Sequence, residues 1–269
     1  GMFGFAVWNE KEQTLMLARD FFGIKPVYYA EIDGHFVFAS EIKSILAFPG
    51  YERKVNQKAL EQYLSFQYSP LEETFFKGIY KLMPGHMLLY KNGSYEIKTY
   101  FKPKLTPGQW NHKTNMAQLR SQLSEILKDS VKHHMLSDVE VGAFLSGGVD
   151  SGYLASSSGA DQAFTVGFDE GDRYSEVNKA AKVAEKAGLK HHVKIISKQE
   201  FWDALPDVMY HMDEPLADAS AVALYFLSKE AAGHVKVVLS GEGADELFGG
   251  YNIYREPEAL KKVAWIPFV

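Results

Sequence analysis

From about Lys113 onward, short apolar runs that end in small-residue turns alternate with stretches of helical spacing. That alternation restricts the possible folds more than any other feature of the chain. The runs are Val139–Leu145, Ala163–Phe168, Val193–Ile196 and Val235–Leu239. A helix is predicted ahead of them, where Met116, Leu119, Leu123, Ile126 and Leu127 fall on one face. Further helices are predicted at 174–187, stopped by Gly188, and at 219–232, stopped by Gly233. Another is expected at 197–211, opened by a Ser197/Glu200 capping box. Strands separated by helices build a parallel sheet covered on both faces, a doubly wound α/β fold. Ligands of such sheets bind at the carboxyl ends of the strands.

Up to Phe101 the rhythm is different. Phe3–Trp8, Thr14–Ala18, Val27–Ala30 and His35–Ala39 are β-rich runs separated by turn signals such as Asp33-Gly34. Short helices are expected at Glu41–Phe48 and after an Asn56 cap. Asn92-Gly93 between Met87–Tyr90 and Tyr95–Tyr100 signals a type I′ hairpin. Residues 1–101 therefore read as an α+β domain with antiparallel strands. Residues 102–112, with two prolines, a glycine and no periodicity, read as a linker to a second domain at 113–269.

Composition narrows the function classes. The net charge of −5 argues against a broad nucleic-acid surface. No run approaches the ~20 apolar residues of a membrane span, and no secretory leader opens the chain, so a cytoplasmic protein is expected. There are no cysteines, which excludes disulfides, thiolate zinc sites and a cysteine nucleophile within this polypeptide. Its apolar ends, Gly1–Trp8 and Val263–Val269, suggest that both termini are cuts and that Gly1 is a cloning remnant. Uncovered Phe3, Phe5 and Val7 would then favour marginal stability or self-association, as in a homo-oligomer.

The run Val139–Leu145 leads directly into Ser146-Gly147-Gly148-Val149-Asp150-Ser151, where a helix begins. Paired glycines let the backbone turn sharply and aim successive N–H groups at one point, and the helix end adds positive potential. Ser146 and Ser151 add hydroxyls. The loop lacks the lysine of a Walker loop, and Asp150 would repel phosphate unless Mg²⁺ lay between them. A second strand end carries Ser240-Gly241-Glu242-Gly243-Ala244-Asp245-Glu246-Leu247-Phe248-Gly249-Gly250-Tyr251. It joins three acids, Glu242, Asp245 and Glu246, to a flexible backbone and faces the same crevice. His191 and His192 are adjacent on a predicted strand and face opposite ways, so they are not expected to share a metal.

The first loop resembles that of the N-type ATP-pyrophosphatases, Ser-Gly-Gly-x-Asp-Ser, which cleave ATP between the α- and β-phosphates. The second resembles the signature of the asparagine synthetase and β-lactam synthetase group. Met212-Asp213-Glu214-Pro215 resembles a family segment bordering the substrate cavity, and Asp218 reads equally as a helix cap. Ala18–Tyr29 and Phe38–Lys43 are similar to the back part of the family's Ntn glutaminase domain. The resemblance implies a fragment of a glutamine-hydrolysing asparagine synthetase that spans the end of the glutaminase domain and a truncated synthetase domain of the adenine nucleotide α-hydrolase-like type. It implies ATP contacts by Leu145, Ser146, Gly147, Gly148, Val149, Asp150, Ser151, Val166, Ser240 and Gly241. Asp150 and Asp245 would hold Mg²⁺, and Asp150 and Glu242 would act in catalysis. The implied reaction activates aspartate as β-aspartyl-AMP and aminates it with ammonia, drawn from glutamine in the parent. Two alternatives stay open: another acyl-adenylate amidase of the β-lactam synthetase kind, and a catalytically incomplete nucleotide-binding fragment. Gly152, where the family often has a second serine, is a local departure that loosens the helix start.

Overall fold

A computed structural model describes residues 1–104, 115–169, 176–218 and 220–261, with the side chains of 258–260 left aside. Most of the expected linker 102–112, the start of the helix expected at 174 and the apolar C-terminal stretch lie outside these residues. Two compact units are present. The first combines the N-terminal elements with Leu205–Ala221; the second holds the remaining elements. The segment Leu205–Ala221 thus clusters with the first unit, although it falls inside the range 113–269.

The first unit contains β1 (Gly4–Asn9), β2 (Thr14–Arg19), β3 (Tyr28–Ile32), β4 (His35–Ala39), α1 (Ile42–Leu46), α2 (Gln57–Phe66), β5 (Ile79–Lys81), β6 (His86–Lys91) and β7 (Ser94–Thr99). One antiparallel sheet has the order β1-β2-β6-β7 and the other β4-β3-β5. Leu17 and Leu88 from the first sheet pack on Tyr29 of the second. The second sheet buries Ala30, Ile32 and Ile79 against Ile42 and Ile45 of α1. Asn92 and Gly93 both have positive φ, 52° and 77°, and join β6 to β7 as the hairpin signal predicts. Asn56 caps α2 by accepting from the N–H groups of Lys58 and Ala59. All six residues of β1 are exposed, Phe5, Val7 and Trp8 among them.

The second unit contains α3 (Met116–His134), β8 (Val141–Phe144), α4 (Val149–Ser158), β9 (Gln162–Phe168), α5 (Val177–Ala187), β10 (Lys190–Ile196) and α6 (Lys198–Asp203). The chain then passes through α7 (Leu205–Met212) of the first unit and α8 (Ser220–Ala232) to β11 (Val237–Leu239), α9 (Ala244–Phe248) and α10 (Glu256–Lys261). The sheet is fully parallel, with the order β10-β9-β8-β11. Successive residues of a strand face opposite sides, and the packing follows that rule. Ala143 and Leu145 meet Ala155 of α4 and Ala180 and Ala184 of α5, whereas Phe144 and Phe164 meet Ala231 and Leu227 of α8. Helices therefore cover both faces, as the alternation implies. The order reverses at β8, with β9 and β10 on one side and β11 on the other, so the switch point lies between β8 and β11.

The single helix expected at 197–211 is instead two. Ser197 and Glu200 do form a capping box at the start of α6. Ala204 ends that helix, and Pro206, which has no N–H to donate and is tolerated in a first turn, opens α7. No helix among the described residues is long and apolar enough to cross a membrane.

Candidate nucleotide site

A cavity of about 480 Å³ opens at the carboxyl ends of β8, β9 and β11, where the strand order reverses. One wall is apolar and includes Phe144, Val166, Phe168 and Leu224; the other consists of the two loops that follow β8 and β11. Of the candidate residues, Leu145, Ser146, Gly148, Asp150, Ser151, Val166, Ser240, Gly241, Glu242 and Asp245 all line it. Gly147 and Val149 do not. The Val149 side chain is 86% exposed and turns outward, so only its main chain could serve a ligand there.

The loop after β8 is organised by its own hydroxyls. Ser146 Oγ and Ser151 Oγ lie 2.8 Å apart, Ser151 Oγ accepts from Ser146 N–H, and Ser146 Oγ accepts from Gly148 N–H. Gly147 N–H donates to Glu176 Oε2 at 3.2 Å. A carboxylate thus sits on an amide of the loop, as expected of an amide that favours anions. A Cβ at Gly147 would lie 2.9 Å from Lys179 Cδ and 3.2 Å from Glu176 Cβ, so only glycine lets the turn press on the start of α5. No side chain caps α4, whose first turn begins at Gly148 and carries Asp150. The partial positive charge of its N-terminal N–H groups is therefore directed at the cavity.

The two motifs are in contact. A Cβ at Gly241 would lie 3.1 Å from Ser151 N and 3.4 Å from Asp150 C, so the loop after β11 lies directly on the loop after β8. Ser240 Oγ points to Glu242 Oε1 at 3.5 Å. The cavity is lined by four carboxylates, Asp150, Glu176, Glu242 and Asp245, and by no lysine or arginine among the described residues. Tyr251, also in the lining, donates its hydroxyl to Glu246 Oε1 at 2.9 Å, and that bond first, then partial desolvation and the charges of Glu246, Asp245 and Glu242, pushes its pKa up to about 12. Hard carboxylate oxygens in this number suit Mg²⁺, which typically takes one or two protein carboxylates and completes its shell with phosphate and water. Asp150 and Asp245 stand in the first turns of α4 and α9, the helices that follow the two loops, and Glu242 stands on the second loop itself.

Sequence reasoning missed Glu176 and Tyr251. Glu176 stands in no motif and is brought in by the approach of α5; Tyr251 closes the second signature run without a role assigned to it, and the turn after α9 brings it to the cavity. Behind the site, Thr165 Oγ1 donates to Leu145 O at 2.6 Å and accepts from His191 Nε2 at 2.7 Å. His191, its pKa lowered by burial and by His192, braces the loop from beneath. Asp213 and Glu214 are placed in the first unit and do not line the cavity. Asp213 accepts from the N–H groups of Ile42 and Lys43 and lies 3.0 Å from Lys43 Nζ, and Glu214 accepts from Phe75 N–H. Asp218 Oδ1 accepts from Ser220 N–H at the start of α8, a helix-capping contact.

The family model described as asparagine synthase matches residues 122–268, and that of a glutamine amidotransferase domain matches residues 1–101. The chain belongs to the asparagine synthase family. It is 44% identical over 272 residues to asparagine synthetase [glutamine-hydrolyzing] 1 of Bacillus subtilis, covering 99% of this chain and 42% of that relative. With asparagine synthetase [glutamine-hydrolyzing] 3 of the same organism it shares 30% over 286 residues, covering 99% of this chain and 46% of the relative. With amidase chyE of Penicillium rubens it shares 31% over 276 residues, covering 95% and 40%. The chain therefore spans under half the length of these relatives.

Proposed function

We propose that this chain carries the nucleotide site of an ATP-dependent ligase that activates the side-chain carboxylate of aspartate as β-aspartyl-AMP and then aminates it to asparagine. The observation that carries the reading is the contact of the two loops at Gly241 and Ser151 over a cavity with four carboxylates. A phosphate chain entering it would meet loop amides and the start of α4 on one side and would need a cation against the carboxylates on the other. Asp150 and Asp245 are the residues to hold Mg²⁺, which when bound neutralises charge on the phosphates and the departing pyrophosphate.

The chain's own groups divide the remaining work. The N–H groups of the first turn of α4 receive pyrophosphate, joined by Gly148 N–H once Ser146 Oγ yields it and by Gly147 N–H once Glu176 yields it. Adenine lies on the apolar wall at Val166 and Phe168, with Leu145 beneath, and Ser146, Ser151 and Ser240 fix the phosphates and ribose. Aligning carboxylate and α-phosphorus in this way converts a two-body encounter into a local one. Glu242 takes the proton of the incoming amine during amide formation. The nitrogen is ammonia, released from glutamine by the glutaminase part of the parent enzyme. The similarity to a fungal amidase supports a second reading, in which the same site activates a different acyl group.

The test is aspartate-dependent exchange of pyrophosphate into ATP by the full-length parent. Glu242→Gln should leave ATP binding intact and abolish formation of asparagine. Full asparagine formation by that variant would return Glu242 to the role of a loop carboxylate, and exchange driven by another acid but not by aspartate would favour the second reading.

A further inference from the structure

We propose that His192, Glu230 and His234 form a binding site for a divalent transition metal of the zinc class, separate from the nucleotide cavity. One donor atom from each lies within 4.8 Å of the other two. The donors come from three places in the fold: β10, the last turn of α8, and the turn that leads to β11. His192 is the third residue of its strand, towards the amino end, whereas the nucleotide cavity opens at the carboxyl ends.

One edge of the cluster already has the length that a bound ion sets. Glu230 Oε1 and His234 Nε2 are 3.5 Å apart. Tetrahedral zinc, with bonds of about 2.0–2.1 Å to nitrogen and oxygen, holds its ligand atoms roughly 3.4 Å apart, so this pair already spans one edge. The His192 and His234 rings lie 4.0 Å apart at 39°, and Phe164 stacks on His192 at 5.0 Å to form an apolar wall. Two imidazoles and one carboxylate are a zinc-type donor set and a poor one for Mg²⁺, which prefers oxygen alone.

The protonation of His192 is fixed from behind. Gln162 Nε2 donates to Glu140 Oε1 at 2.6 Å, which turns Gln162 Oε1 towards His192 Nε2 at 2.8 Å. Because Oε1 can only accept, Nε2 carries the proton and Nδ1 keeps its lone pair. An acceptor behind an imidazole is the usual support for a ligating histidine. The side chains of Glu230 and His234 are each 34% exposed, which leaves a path for the ion and a position for water. His191 takes no part, because it bonds Thr165 on the opposite face.

The test is titration of the metal-stripped full chain with Co²⁺ and Zn²⁺, followed by the visible absorption of Co²⁺ and by calorimetry, with Mg²⁺ in excess to occupy the cavity carboxylates. One equivalent should bind, with a Co²⁺ spectrum of low coordination number that Zn²⁺ abolishes, and melting should shift upward as metal is added. His234→Asn and Glu230→Gln, both at partly exposed positions that disturb little packing, should each weaken binding at least tenfold. His192→Ala with His234→Ala should abolish it. No tight binding by the parent chain, or an unchanged affinity in a folded Glu230→Gln or His234→Asn variant, would overturn the assignment.

Discussion

Asp20 offers a sharp test of how the first unit is held together. Its side chain is 1% exposed and accepts four backbone N–H groups: Phe22 and Ile24 on Oδ1 at 3.1 and 3.0 Å, Lys25 and Phe3 on Oδ2 at 2.9 and 3.3 Å. Burial alone would raise its pKa. The four N–H donors outweigh burial and hold it below the usual carboxylate range. Asp20→Asn preserves shape but can present an acceptor to only two of these donors, and its amide N–H₂ faces the other two. Each stranded N–H costs about 1–3 kcal/mol, so the loss is about 2–6 kcal/mol. Against a domain stability of about 5–15 kcal/mol this is severe, equivalent to a fall on the order of 10 °C in Tm. The sign with pH follows from the lowered pKa. The carboxylate's contribution is present above its unfolded pKa near 4 and is lost as pH falls through the folded value. Calorimetric melting of both proteins between neutral and acid pH should show a constant gap above about pH 5 that closes in acid. Melting within 2 °C of the parent at about pH 7, or a gap that persists in strong acid, would refute the reasoning.

Two further outcomes are expected. Gly152 lies inside α4, and a Cβ there would meet only Val183 methyls at 3.9 and 4.0 Å; Gly152→Ala should stabilise the second unit by about 0.5–1 kcal/mol, read as a higher denaturant midpoint. The chain contains no cysteine, so purified protein incubated with glutamine should release glutamate no faster than a buffer blank; release proportional to protein would require another nucleophile.

Local chemistry was legible wherever a few neighbouring residues decide the backbone. The Asn56 cap and the Ser197/Glu200 box follow from side chains that bond within three residues of themselves, and the Asn92-Gly93 hairpin from two residues that accept positive φ. The loop Ser146–Ser151 and its partner at Ser240–Asp245 could be read as one site because each begins at a strand end, and parallel strands bring those ends together. What could not be read depends on distant approach. Asp213 bonds the N–H of Ile42 across 171 residues, and Gly147 bonds Glu176 across 29, and no spacing encodes either contact. The break at Ala204 was hidden because Pro206 is compatible with a helix start as well as with an end. His192, Glu230 and His234 are united by strand register and the end of α8; the sequence shows only two adjacent histidines with opposite orientations.

Calorimetric titration of this chain with ATP, in Mg²⁺ and in EDTA, tests the proposed site most directly. Binding should require Mg²⁺, and Asp150→Ala and Asp245→Ala should each weaken it by at least about tenfold, or roughly 1.4 kcal/mol, by removing a counter-charge between cation and cavity. ATP binding that is equally tight in EDTA, or unchanged in both variants, would contradict the assignment of these carboxylates and of the cavity they line.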